Sequence, residues 1–168
     1  MKQLTHYDIE NKQQQFPITI VCDAIRTPEN IGMCFRISES FGVEKIYFHE
    51  SSPSLENRKV IKTARNTIAE IKHEFYNNFE QTVLQLKAEG NTIVGIEITD
   101  KSINIQDFDF KKYEKIVLLL GSERNGIENI NLTDETIAIP MYGRNSSMNV
   151  IHSLAITLYE LTNQLNTK

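Results

Sequence analysis

Three polar clusters in this sequence group side chains that can grip phosphate and orient reacting groups, and each directly follows a run of apolar residues. The first is Thr27-Pro-Glu-Asn30-Ile-Gly32-Met-Cys-Phe-Arg36. The second is Gly121-Ser-Glu123-Arg124-Asn-Gly126-Ile, and the third runs Ile139-Pro-Met141-Tyr-Gly143-Arg144-Asn-Ser-Ser147-Met148-Asn149-Val. Each residue also has an ordinary structural use: Ser146 or Ser147 as a helix cap, Asn149 satisfying backbone groups, Glu123 as a loop acid, Asn30 as a turn residue. Arg36 is harder to place that way. It falls mid-helix beside Ile31, Phe35 and Ile37, where an unpaired buried guanidinium is costly, and Gly32 four residues earlier leaves open space beside it. Other chemistries are missing their signatures. The seven glycines never form G-x-G-x-x-G or a phosphate loop, and no G-x-S-x-G elbow occurs. The four histidines stand far apart with no cysteine or carboxylate at ligand spacing, so no metal is expected. Cys22 and Cys34 have neither zinc nor redox-pair spacing.

The elements that must position these clusters alternate between strand and helix. Ile18–Ala24 reads as a strand. Thr27-Pro28 then reads as an N-cap followed by proline at the first helical position, with a helix to about Phe41 burying Ile31, Cys34, Phe35 and Ser38. Gly42 ends it and Val43–Phe48 is the next strand. Glu56–Asn66 places Arg58, Lys59, Lys62 and Arg65 at helical spacing or on a mobile loop. Phe79–Glu89 is amphipathic with Val83, Leu84 and Leu86 inward. Strands follow at Thr92–Ile98, Ile116–Leu120 and Thr136–Ile139. The last helix, about Met148–Leu165, carries Val150, Ile151, Leu154, Ala155, Leu158, Leu161 and Leu165. That stripe serves either a monomer core or a subunit contact. The pattern predicts an α/β fold with a mainly parallel sheet. In such sheets ligands bind beyond the carboxyl ends of the strands, so the three clusters are candidates for one shared site.

Length and composition fit this picture. A chain of 168 residues with 40% hydrophobic and 24% charged residues reads as a single soluble domain, 1–168, in which residues 1–16 form a polar arm, in part a short helix. No apolar run is long enough for a membrane span, and no signal peptide is visible, which gives a cytoplasmic expectation. Eighteen basic and 22 acidic side chains leave a net charge of −4, against bulk attraction to nucleic acid. The six arginines nevertheless concentrate in loops and helix starts, which allows a local phosphate-facing surface on an acidic body.

Taken together, the clusters resemble the three motifs of the SpoU/TrmH family of SPOUT RNA methyltransferases. Asn30-x-Gly32-x-x-x-Arg36 is similar to the first motif, Leu119-Leu-Gly-Ser-Glu123-x-x-Gly126-Ile to the second, and Ile139-Pro-Met141…Ser147-Met-Asn149-Val to the third. Their order and separation match from roughly Ile18 to Leu165. The resemblance implies a SPOUT-type, mainly parallel sheet flanked by helices, with a deep trefoil knot over about 116–165. It also implies a homodimer, S-adenosylmethionine as cofactor, and methyl transfer to a ribose 2′-hydroxyl of RNA, with tRNA favoured over rRNA and no DNA. By the same resemblance Asn30, Arg36, Glu123, Ser147 and Asn149 are catalytic. Ile96, Gly121, Ile139, Met141, Ser147 and Met148 hold the cofactor between the loops 96–99, 121–126 and 139–148. Arg58, Lys62, Arg65, Arg124 and Arg144 are expected to face RNA. Met148 stands where leucine is usual, and His152, where a small or aliphatic residue is more common, is expected to be buried and neutral. A catalytically silent RNA-binding relative and an unknotted flavodoxin-like nucleotide-binding module are the alternatives. Retention of the motif residues weighs against the first, and the missing phosphate loop against the second.

Overall fold

In the computed structural model, residues 1–4, 8 and 13–167 are described. Seven strands among them form one sheet, β1 (Phe16–Cys22), β2 (Val43–His49), β3 (Lys72–Tyr76), β4 (Thr92–Ile96), β5 (Ile103–Asn104), β6 (Ile116–Leu120) and β7 (Glu135–Ala138). Every pairing is parallel, in the order β3-β2-β1-β6-β4-β7-β5. The described residues also form four α-helices: α1 (Pro28–Ser40), α2 (Arg58–Ala64), α3 (Phe79–Ala88) and α4 (Val150–Asn166). Side chains alternate across a strand. Ile18, Ile20 and Cys22 of β1, with Ile116, Leu118 and Leu120 of β6, therefore pack under α1 and α4. Val21, Val117 and Leu119 turn to the other face, where Val83 and Leu86 of α3 cover them. All five residues of β6 are buried, which explains its uninterrupted apolar sequence. No helix among the described residues is long and apolar enough to cross a membrane.

The predicted α1 is present, and its inner face is Asn30, Ile31, Gly32, Cys34, Phe35 and Ser38. Three expectations about this region change. First, Arg36 is exposed rather than buried, because at 100° per residue it falls off the stripe that faces the sheet. Second, Gly32 does not clear space for that arginine. A Cβ there would strike the Val60 carbonyl and Thr63 of α2, so the glycine lets the two helices approach closely. Third, β1 ends at Cys22: Asp23 lies in a bend and Ala24 has φ +53°, outside the strand region.

The basic segment at 56–66 is helical only over Arg58–Ala64, with Asn57 as its N-cap, and Arg65 and Asn66 leave it in left-handed conformation. Leu84 is 49% exposed rather than inward, since α3 covers the sheet with Val83 and Leu86 alone. His152 is exposed: α4 buries Ile151, Leu154, Leu158 and Leu161, and His152 lies on the opposite side with Ile156 and Tyr159. The sequence reading missed β3 and β5. β3 is an edge strand, largely polar and exposed, held by its pairing to β2, and β5 spans only two residues. The expected short helix in the first fifteen residues falls mainly on positions outside those described.

Candidate active site

The carboxyl ends of β4, β6 and β7 open into a cavity of about 680 Å³. Its lining comes from three loops: Ile96–Thr99 after β4, Gly121–Ile127 after β6, and Ile139, Met141 and Ser147–Val150 between β7 and α4. All six residues expected to hold a cofactor, Ile96, Gly121, Ile139, Met141, Ser147 and Met148, are on its wall, together with Glu123, Arg124 and Asn149. The walls are rich in isoleucine and carry backbone polar groups at the loop tips, a composition suited to a flat, partly polar small molecule. Gly126 is required on two counts. Its φ is +66°, and a side chain there would collide with the Glu97 carboxylate.

Glu123 joins this cavity to the first motif. Its Oε1 accepts from the Thr27 amide at 3.0 Å and from Asn30 Nδ2 at 2.9 Å, while Oε2 accepts from the Arg26 amide at 3.1 Å. Partial burial would raise this carboxyl, but those donors outweigh it and hold the group down at about 2. The Thr27 side chain makes no cap bond. Glu123 therefore serves the N-terminus of α1 from a distant loop, where a negative charge also meets the positive end of the helix dipole. Asn30 is buried, and its Oδ1 accepts in turn from Asn149 Nδ2 at 3.2 Å. Asn149, not Ser146 or Ser147, caps α4, its Oδ1 accepting from the Ile151 amide at 2.9 Å. A single hydrogen-bonded line, Glu123–Asn30–Asn149, thus ties the three clusters together.

The remaining candidates spread outward. Ser147 is exposed on the cavity lip. Arg36 is on the exposed side of α1, outside the cavity lining. Arg58, Lys62 and Arg65 are exposed on and just after α2, and Arg124 and Arg144 on the two loops bordering the cavity. Lys59, between them in sequence, is instead paired with Glu29 at 2.9 Å.

Two carboxylates escaped the sequence reading. Glu97 lines the cavity, its Oε1 accepting from the Ile98 amide at 3.0 Å and its Oε2 from the Ile127 amide at 3.1 Å. Asp23, 4% exposed just after β1, accepts from the Glu128 amide at 2.9 Å, and burial pushes its carboxyl up. Both stand at the carboxyl end of a strand, the signal that singled out the other loops. The two cysteines also meet, with Sγ atoms 3.9 Å apart in the core although twelve residues separate them.

The model of the SpoU rRNA Methylase family matches residues 17–159. The chain is 26% identical over 157 residues to the 23S rRNA (guanosine-2′-O-)-methyltransferase RlmB of Neisseria meningitidis, covering 94% of this chain and 62% of that protein. It is 25% identical over 152 residues to the tRNA (guanosine(18)-2′-O)-methyltransferase of Escherichia coli, covering 90% of this chain and 66% of that one. The chain thus spans just under two thirds of the length of these two relatives. Among solved structures, an AdoMet-bound rRNA methyltransferase from Sinorhizobium meliloti superposes with a TM-score of 0.82 at 22% identity, covering 92% of this chain and 59% of that one.

Proposed function

The chain belongs to the SpoU rRNA methylase family, and from that premise we propose that it transfers a methyl group from S-adenosylmethionine to a ribose 2′-hydroxyl of RNA. tRNA is favoured over rRNA. The observation that carries this reading is the convergence of the second and third motif segments on one cavity, with Glu123 and Asn149 both hydrogen-bonded to Asn30 of the first motif. The cavity fits the cofactor in size and chemistry. At about 680 Å³ it lies within the usual range for small-molecule pockets. Isoleucine walls suit a purine face, and loop-tip backbone groups suit its edge.

When bound, S-adenosylmethionine supplies a methyl group already activated on a positively charged sulfur. The chain's own residues then position and exclude. Main-chain groups at Ile96, Gly121, Ile139 and Met148, with Met141 and Ser147, hold the adenosine part. Asn30, Glu123 and Asn149 fix the entrance of α1 against the cavity, and Ser147 orients the incoming hydroxyl from the lip. Displacement at a methyl carbon needs alignment more than charge stabilisation, so this rigidity matters most. Arg36 acts as a clamp on the phosphate and hydroxyl of the target nucleotide. A literal base role would cost ~7 kcal/mol to deprotonate a guanidinium at neutral pH, so phosphate or water takes the proton.

Arg36 reaches that position across a homodimer. On α4 the exposed His152, Ile156 and Tyr159 form a line one helical face wide, with Ile156 40% and Tyr159 63% exposed. Pairing α1 and α4 with their twofold mates covers that line and carries Arg36 to the other subunit's cavity. The remaining parts of the proposal are a trefoil knot within about 116–165, residues 1–168 as one domain, a cytoplasmic location, and an RNA face formed by Arg58, Lys62, Arg65, Arg124 and Arg144 without DNA binding. The test is tritium transfer from labelled cofactor into total tRNA and rRNA, followed by nucleoside mapping. Label in a 2′-O-methyl nucleoside is expected. RNA binding without transfer would mark a catalytically silent chain and overturn the proposal.

A further inference from the structure

Glu123 and Glu97 are the two carboxylates on the cavity wall, and they differ in what they have left to offer. Glu123 Oε1 has both acceptor sites filled, by the Thr27 amide and Asn30, and Oε2 accepts from the Arg26 amide, so a single site remains, on Oε2. Each Glu97 oxygen accepts a single amide, from Ile98 on one side and Ile127 on the other. A carboxylate oxygen has about two acceptor sites, so Glu97 retains one on each oxygen. It is half-buried among Ile96, Ile98, Ile127, Ile130 and Ile137, and among the described residues no cation pairs with it. A carboxylate so placed presents its remaining acceptor sites to whatever occupies the cavity. The two amides also fix its rotation, so the free acceptor sites form a rigid fork.

From this geometry we propose that Glu97 grips the vicinal 2′- and 3′-hydroxyls of the cofactor's ribose and is the residue that selects a ribonucleoside in this cavity. The inference rests on the cofactor reading given above. A fork of two acceptors matches two neighbouring hydroxyl donors. A carboxylate at the end of a parallel strand plays the same part toward ribose in dinucleotide-binding folds. The apolar surroundings suit the nucleoside, whereas the zwitterionic tail of the cofactor belongs in a more hydrated part of the cavity. Glu97 also explains why position 126 admits no side chain: the loop that covers the ribose hangs from this carboxylate through Ile127.

The test is calorimetric binding to the full chain of three ligands: S-adenosylhomocysteine, methylthioadenosine, which lacks the amino-acid tail, and the 2′-deoxy analogue of methylthioadenosine. Wild-type protein is expected to bind the deoxy analogue about tenfold more weakly than its parent. Glu97→Gln is expected to bind both tailed and tailless ribonucleosides about tenfold to a hundredfold more weakly, and to lose its discrimination against the deoxy analogue. If the deoxy penalty is the same in both proteins, Glu97 is merely structural and the inference fails. A loss confined to S-adenosylhomocysteine would assign Glu97 to the ammonium group and overturn it equally. Should Glu97→Gln not fold by circular dichroism, Glu97→Asp, which withdraws the charge without removing it, must show the same loss of discrimination. Wild-type protein that binds neither S-adenosylhomocysteine nor methylthioadenosine refutes the cofactor reading itself, and the inference with it.

Discussion

Replacing Glu123 with glutamine tests whether a charge in the second motif holds the helix of the first. The carboxylate accepts three hydrogen bonds, from the Arg26 and Thr27 amides and from Asn30. Glutamine keeps one acceptor oxygen and turns an NH₂ toward a donor, so at least one bond is lost and the charge at the N-terminus of α1 disappears. The depression of this carboxyl from 4.5 to about 2 corresponds to about 3.4 kcal/mol at face value. The loop is solvent-exposed, and screening reduces that to about 1–2 kcal/mol. The expected loss is thus about 1–2 kcal/mol by urea unfolding at pH 7, or about 3–6 °C in Tm for a chain of this size. The sign with pH is fixed. A carboxyl depressed in the folded state stabilises fully above its unfolded value near 4.5, and this contribution drains away as pH falls toward about 2. The gap between wild type and Glu123→Gln should therefore be constant above pH 5 and shrink steadily below 4.5. A gap that persists unchanged at pH 3, or no gap at neutral pH, would refute the clamp.

Gly126→Ala combines a positive φ with a collision against Glu97, so it should cost about 2 kcal/mol or more in unfolding free energy and abolish S-adenosylhomocysteine binding measured by calorimetry. Asn149→Ala removes the α4 cap and the bond to Asn30, an expected loss of about 1–2 kcal/mol by thermal melting, along with most methyl transfer. Arg65→Ala and Arg124→Ala should each weaken RNA binding and reduce the slope of log affinity against log salt by about 1 in filter binding; unchanged slopes would make them solvated loop charges. Mixing Arg36→Ala with Asn149→Ala protein under subunit exchange should restore part of the activity that neither has alone, and no recovery would place the whole site within one chain.

Much of this architecture was legible because strong local signals agreed with the fold. The nearly continuous apolar run Ile116–Leu120 read as a strand and is one, buried at every residue, and Thr27-Pro28 marked the start of α1 to within a residue. The second and third motifs named two of the three segments that line the cavity. What escaped was set by tertiary contact. Lys72–Tyr76 has a weak alternation and becomes a strand because β2 offers it an edge. Gly32 signals closeness of something, but only the packed structure shows that α2, not Arg36, fills the space. Phase errors account for Arg36, Leu84 and His152, each assigned inward beside truly buried neighbours one or two positions away. Glu97 lay inside a loop assigned to the pocket, yet no motif marked it, since what ties it to the second motif's loop is one amide thirty residues distant.

The loop at 121–128 is where these threads meet. Asp23 and Glu97 hold its end through the adjacent Glu128 and Ile127 amides, and a Ser122–Gly126 bridge closes it on itself. From this fixed loop Glu123 reaches out to α1. Three carboxylates from three different strand ends thus immobilise one short segment, two by accepting its amides and one by extending from it. For the proposed methyl transfer, which depends on alignment within a fraction of an ångström, such over-determination is what a reactive geometry requires. It also predicts how damage spreads. Loosening Glu97 should disturb the helix that carries Arg36, although the two side chains share no contact, because both hang from the same loop. Amide exchange in α1's first turn offers the measurement: faster exchange is expected in Glu97→Gln as well as in Glu123→Gln, and protection unchanged in Glu97→Gln would show that the two halves of the site are held independently.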